Sequence, residues 1–172
     1  MVLAFVKELA SAQIGATHNQ YADSALRRHR LAEYLDSRRD ARLLLVGEAA
    51  GYRGARVSGI AFTSERQLTG SGPTEISATI VHRTLEGLGI AEDVVLWNLV
   101  PTHPHAPGRP ESNRRPTRAE VAAGLPFVRR LARGRRVLAV GRLAEETLQA
   151  PYVRHPAHGG AADFRATLAR CT

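Results

Sequence analysis

The sequence predicts an α/β fold, a three-layer sandwich around a short, mainly parallel sheet of four strands. Two observations carry this. Short, nearly continuous apolar runs recur at Arg42–Gly47, Val94–Leu99 and Arg136–Gly141, with a shorter one at Tyr152–Arg154. Unbroken rather than alternating apolarity marks strands buried on both faces. Segments of helical periodicity separate the runs, and strand–helix alternation implies parallel strands. The 172 residues suit one domain, with residues 1–40 as N-terminal helices and 41–172 as the sheet core and active site.

The elements follow in order. Residues 2–12 and 22–36 read as helices; Leu26, Leu31, Tyr34 and Leu35 fall near helical spacing, with arginines between. The first strand ends in Gly47 and gives way to a Gly-rich segment, 47–73, before a helix over 74–88. The second strand carries Trp97, a core residue, and runs into a loop, 100–116, that holds five of the nine prolines. Thr117 and Glu120 have capping-box spacing, Thr as N-cap and Glu at N3, and open a helix to about Arg133. The third strand follows, then a short helix over 142–149, the fourth strand, and a last helix over about 160–170.

Composition narrows the function classes. Charged residues are 23% and apolar residues 44%, which excludes disorder as the main state. No stretch approaches the roughly 18 apolar residues of a membrane span. The opening residues do not read as a leader, so the expected location is cytoplasmic. Cys171 is the sole cysteine, which excludes an internal disulfide, an all-cysteine zinc site and a cysteine-held iron–sulfur cluster. The net charge of +8 favours a polyanionic partner, nucleic acid above all. Lys7 is the only lysine. Arginine's planar fork suits phosphate, although a GC-rich coding sequence would produce the same bias.

Parallel sheets bind ligands at the carboxyl ends of their strands. Three segments fall there: 47–64, 98–118 and 154–160. The first fails both common nucleotide motifs. Its glycines lack the G-x-G-x-x-G spacing, and Gly54 to Gly59 is followed by Ile60-Ala61 where a phosphate loop needs Lys and Ser or Thr. A structural turn is the alternative reading, but Glu48, directly after a buried strand, would sit at the mouth of the crevice. His103 and His105 form an H-x-H without a third metal ligand, so they read as a solvated loop. His18, His29 and His82 read as surface residues.

Taken together, the three segments resemble the uracil-DNA glycosylase superfamily. Gly47-Glu48-Ala49-Ala50-Gly51 resembles the first active-site motif in its G-E-A-P-G form. Ser58–Ser64 is similar to the segment that lays an aromatic ring beneath the base. Trp97–Pro101 is similar to the strand end carrying the base-reading Asn. Asn113-Arg114-Arg115-Pro116-Thr117 resembles an N-R-x-P-T stretch, and Arg154-His155-Pro156-Ala157 resembles the H-P-S motif. The pieces keep the family's order between residues 43 and 160.

The resemblance implies a monofunctional DNA glycosylase that removes uracil in base excision repair, with no metal or organic cofactor. Its partner would be uracil-containing DNA, single- or double-stranded, with a monomer as the expected assembly. Phe62 would supply the π-face, though a core aromatic is an equal reading of a lone Phe. Asn98 would read uracil's edge, because one amide carries both a donor and an acceptor. His155 would stabilise the leaving uracil anion, and Glu48 would position water or steady the sugar cation. Gly47, Ala49 and Gly51 would line the base site. Ser64, Arg114, Arg115 and His158 would meet DNA, with His158 filling the place of a wedge. Ala49 stands where several branches place Asp or Asn, Ala50 where Pro is usual, and Gly51 where the classical branch has a Tyr. A binding protein that has lost turnover is therefore the second reading. A small-molecule nucleotide hydrolase, suggested by fold alone, is opposed by the missing phosphate motifs.

Overall fold

The computed structural model describes all 172 residues. Helix α1 (Val2–Ser11) leads into a two-residue strand β1 (Thr17–His18) and helix α2 (Ala25–Ser37). Strand β2 (Leu43–Ala49) is followed by two short helices, α3 (Ala55–Ser58) and α4 (Glu65–Thr69), and by α5 (Ile76–Gly87). A single 3₁₀ turn precedes β3 (Val94–Val100), then β4 (His103–Pro104) and α6 (Arg118–Leu131). The chain closes with β5 (Arg136–Val140), α7 (Arg142–Leu148), β6 (Tyr152–Val153) and α8 (Ala161–Cys171).

Four strands pair in the order β3-β2-β5-β6, and every pairing is parallel. The expected α/β sandwich with a four-stranded sheet is thus present. Alternate side chains divide the core. Leu44, Val46, Val95, Trp97 and Leu99 pack on one face with Phe5, Leu9, Leu31, Phe127 and Val128. Leu43, Leu45, Leu96, Leu138 and Val140 pack on the other with Val81, Leu85, Phe164 and Leu168. Helices α1, α2 and α6 therefore cover one face, α5 and α8 the other. Trp97 sits in the core as expected, 1% exposed, with edge contacts to Phe5.

The departures are local. The Gly-rich segment contains α3 and α4. Strands β1 and β4 form an antiparallel ribbon, with His18 opposite His103, so His18 lies in a strand rather than a helix. Neither ribbon strand is visible in sequence, because two residues cannot show a period. His103 is not solvated: it is fully buried, and its ring nitrogens meet the carbonyls of Ala50 (2.8 Å) and Pro110 (3.1 Å). His82 is half-buried and bonds Thr63 Oγ1 at 3.0 Å, whereas His29 is exposed as expected. No helix is long and apolar enough to cross a membrane.

Candidate active site

The carboxyl ends of β2 and β3 lie side by side, with Gly47 in register with Asn98. Beyond them opens a cavity of about 110 Å³, lined by Glu48, Ala49, Gly51, Phe62, Glu75, Asn98 and His155 among others. It leads into an outer cleft of about 530 Å³, which adds Arg114, Arg142, Arg154, Ala157 and His158.

Gly47 makes the floor possible. A Cβ there would overlap the Phe62 ring and crowd Asn98 Oδ1, so only glycine lets ring and amide meet. Phe62 itself has φ of +52°, a left-handed conformation unfavourable for a bulky residue. A small network holds it there. The Ser58 hydroxyl donates to the Thr63 carbonyl at 2.6 Å and accepts from the Ile60 N–H at 3.1 Å, while His82 bonds Thr63. The ring lies 6.5 Å from that of His155, tilted by 44°. Asn98 is 4% exposed and presents the one side-chain amide of the cavity wall.

His155 follows β6. Its Nδ1 accepts the Ala157 N–H at 3.1 Å, which leaves the proton of the neutral ring on Nε2. Burial lowers its pKa, and the charges of Arg154 and His158 lower it further. The ring is therefore a neutral donor at pH 7. Glu48 is half-buried; burial raises its pKa and the nearby Arg115 guanidinium opposes that rise.

The loop after β3 is fastened to this site. Asn113 Oδ1 accepts the Tyr52 N–H at 2.9 Å, and His103 reaches the Ala50 carbonyl. Arg114 is occupied within the fold: its guanidinium forks onto Glu120 at 2.8 and 2.6 Å, and its Nε donates to the His105 carbonyl. Glu120 is 2% exposed and also closes the expected capping box with Thr117. Arg115, next in sequence, is exposed. Ser64, expected at the DNA surface, is fully buried, and its N–H and hydroxyl both donate to Gln67 Oε1 at 2.8 Å. That serine starts α4 rather than facing a ligand. His158 is exposed at the rim with φ of +54°.

The structure thus brings Glu48, Ala49, Gly51, Phe62, Asn98 and His155 around one cavity, with Gly47 behind it. Sequence reasoning missed Glu75, Ser77, Arg142 and Arg154. The first two precede or begin a helix in a polar stretch that reads as a cap; Arg142 carried no motif signal, and Arg154 entered only as the residue before His155 in the H-P-S-like piece. No three His, Cys, Asp or Glu side chains gather as a metal site.

The crystal structure of wild-type SMUG2 from Pedobacter heparinus superposes with a TM-score of 0.74, at 16% identity, covering 99% of this chain and 94% of that one. The likeness concerns the fold. No curated protein matches the sequence. The model of the uracil DNA glycosylase superfamily matches residues 35–167, the stretch from the end of α2 to α8 that holds all four sheet strands and every wall of the cavity. By that match the chain belongs to the uracil DNA glycosylase superfamily.

Proposed function

We propose that the protein is a monofunctional DNA glycosylase that hydrolyses the N-glycosidic bond of uracil in DNA and leaves an abasic site. The observation that carries this reading is the convergence of Phe62, Asn98, His155 and Glu48 on one small cavity from four separate segments. Each offers what the reaction needs. An extruded base requires an aromatic face and a hydrogen-bonding edge reader, here Phe62 and Asn98. Bond cleavage leaves an anionic uracil, which the His155 Nε2–H would stabilise as charge develops. Glu48, at the seam between cavity and cleft, would steady the positive sugar.

The cleft supplies the path for the strand. Arg142, Arg154 and His158 line it, and Arg115 stands exposed near Glu48. These arginines suit the flanking phosphates, which position a duplex without reading its sequence. Arg114 serves the same function indirectly, by holding the loop that carries Arg115.

Ala49 favours a second reading, a protein that holds uracil-DNA or abasic DNA without turnover, because its methyl offers water no partner. Incubation with a labelled oligonucleotide carrying one uracil decides between them. Alkali-sensitive strand breakage and free uracil are expected. Tight retention of the intact oligonucleotide would establish the binding protein instead.

A further inference from the structure

The cavity contains a second carboxylate. Glu75 stands at the N-cap of α5 but makes no side-chain bond to that helix. Its carboxylate reaches away from the helix and lies over two glycines of the loop after β2. A Cβ at Gly51 would overlap its Oε1, and a Cβ at Gly54 would overlap its Oε2. Burial raises its pKa, and no neighbouring charge offsets that rise. A half-buried carboxylate without a cap, ion pair or counter-charge costs stability, so its position is not explained by the fold.

Glu75 lines both the inner cavity and the outer cleft. On the glycosylase reading the base occupies the first and the sugar-phosphate the second, so the seam between them is where the scissile bond lies. Glu48 shares the seam; burial raises its pKa too, but Arg115 opposes that rise. The side chains of Ala49 and Ala50 give a water molecule nothing to bond. Glu75 does, and no neighbouring charge opposes the rise that burial gives its pKa.

We infer that Glu75 is the general base of the reaction, holding the attacking water against C1′ of the flipped nucleotide. The inference rests on the glycosylase reading. The bond between C1′ and uracil N1 breaks, and its electron pair leaves with the base. The water oxygen bonds C1′ as its proton passes to the Glu75 carboxylate. That proton is then released to the departing uracil anion or to solvent. Water is the only co-reactant, and the products are uracil and an abasic deoxyribose with a C1′ hydroxyl.

The test is single-turnover uracil release by wild type, Glu75→Gln and Glu75→Ala. Affinity is measured in parallel on DNA bearing 2′-fluorinated deoxyuridine, whose electron-poor sugar resists cleavage. Glu75→Gln should slow release by about 10²–10⁴-fold, the usual span for a positioned base. Affinity should be unchanged, and the melting temperature should equal or exceed that of wild type, since a half-buried, unpaired acid is gone. Millimolar formate should restore part of the rate to Glu75→Ala. Wild-type rates in Glu75→Gln overturn the inference while leaving the glycosylase reading intact. A loss of affinity parallel to the loss of rate also overturns it, making Glu75 a binding residue. A lowered melting temperature with no formate rescue overturns it in favour of a structural role. Wild-type protein that retains uracil-DNA without releasing base overturns both readings.

Discussion

On the glycosylase reading, Asn98 and His155 would do opposite work on the same ring. Asn98 must be correct in the ground state, offering a donor and an acceptor to the base edge. Asn98→Asp replaces the donor with an acceptor, so uracil release should fall while cytosine, which presents an amine there, becomes the better fit. A bidentate base contact is worth about 1–3 kcal/mol of discrimination, and competition between uracil and cytosine substrates measures it. His155 would act where charge develops. His155→Ala should lower single-turnover release by about 10²–10³-fold with abasic-site affinity retained. Its depressed pKa keeps the ring neutral at pH 7. Protonation on acidification puts a hydrogen on Nδ1, which then can no longer accept the Ala157 N–H. The rate should therefore change on the acid side of the ordinary histidine value, as a pH–rate profile would record.

Two braces matter at the scale of elements. Helix α2 and the turn before it grip the segment that presents Phe62: Arg30 forks onto Glu65 at 2.8 and 2.9 Å, Arg27 Nε donates to the Val57 carbonyl, and the Tyr21 hydroxyl donates to the Gly59 carbonyl. The strained turn at Phe62 is stable because these contacts over-determine it. The other brace is α6, whose Glu120 joins its own cap to Arg114 and thus to the proline-rich loop. Arginine holds the Glu120 carboxyl down to about 2. An acid with a depressed folded pKa stabilises the fold above its unfolded value, and that stability is lost as pH falls from about 4.5 toward about 2. Glu120→Ala should cost about 3 kcal/mol, from a cap of about 1 kcal/mol and charge-assisted bonds of about 1.5–3 kcal/mol. Urea titration at pH 7 checks the cost, and the deficit against wild type should shrink at pH 3.

Over the whole molecule, the charge of +8 is carried almost entirely by arginines, and the fold divides their labour. Arg30, Arg38, Arg42, Arg114 and Arg130 sit in ion pairs with Glu65, Glu92, Asp93, Glu120 and Glu8. Arg142, at the cleft, pairs with Glu145, whereas Arg115 and Arg154 have no ion pair and on the glycosylase reading would meet the strand. Affinity for duplex DNA should therefore fall steeply with salt. Arg115→Ala should flatten the log–log slope by about 1 and leave base preference unchanged. Arg114→Ala should instead lower the melting temperature. Fluorescence anisotropy across a salt series, beside thermal denaturation, separates the two arginines.

The sequence by itself determined the sheet, because four apolar runs must be buried on both faces and only parallel strands under helices achieve that. It also determined which strand ends could carry chemistry: Glu48, Asn98 and His155 each directly follow or end an apolar run, and all three reach the cavity. Capping-box spacing placed the start of α6 correctly at Thr117, since that signal is local. Tertiary structure decided what depends on distant neighbours. Ser64 looked like a ligand-facing hydroxyl until Gln67 took its bonds, and His103 became core because two carbonyls from separate loops enclose it. Arg114 and Arg115 are indistinguishable by type, yet a buried Glu120 claims only the first. Glu75 reads as a helix start, and only the packing of α5 against the glycines after β2 carries its carboxylate into the site. Local patterns fix elements because backbone hydrogen bonding and burial repeat along the chain. The allocation of each polar side chain depends on partners tens of residues away, and no period in the sequence encodes them.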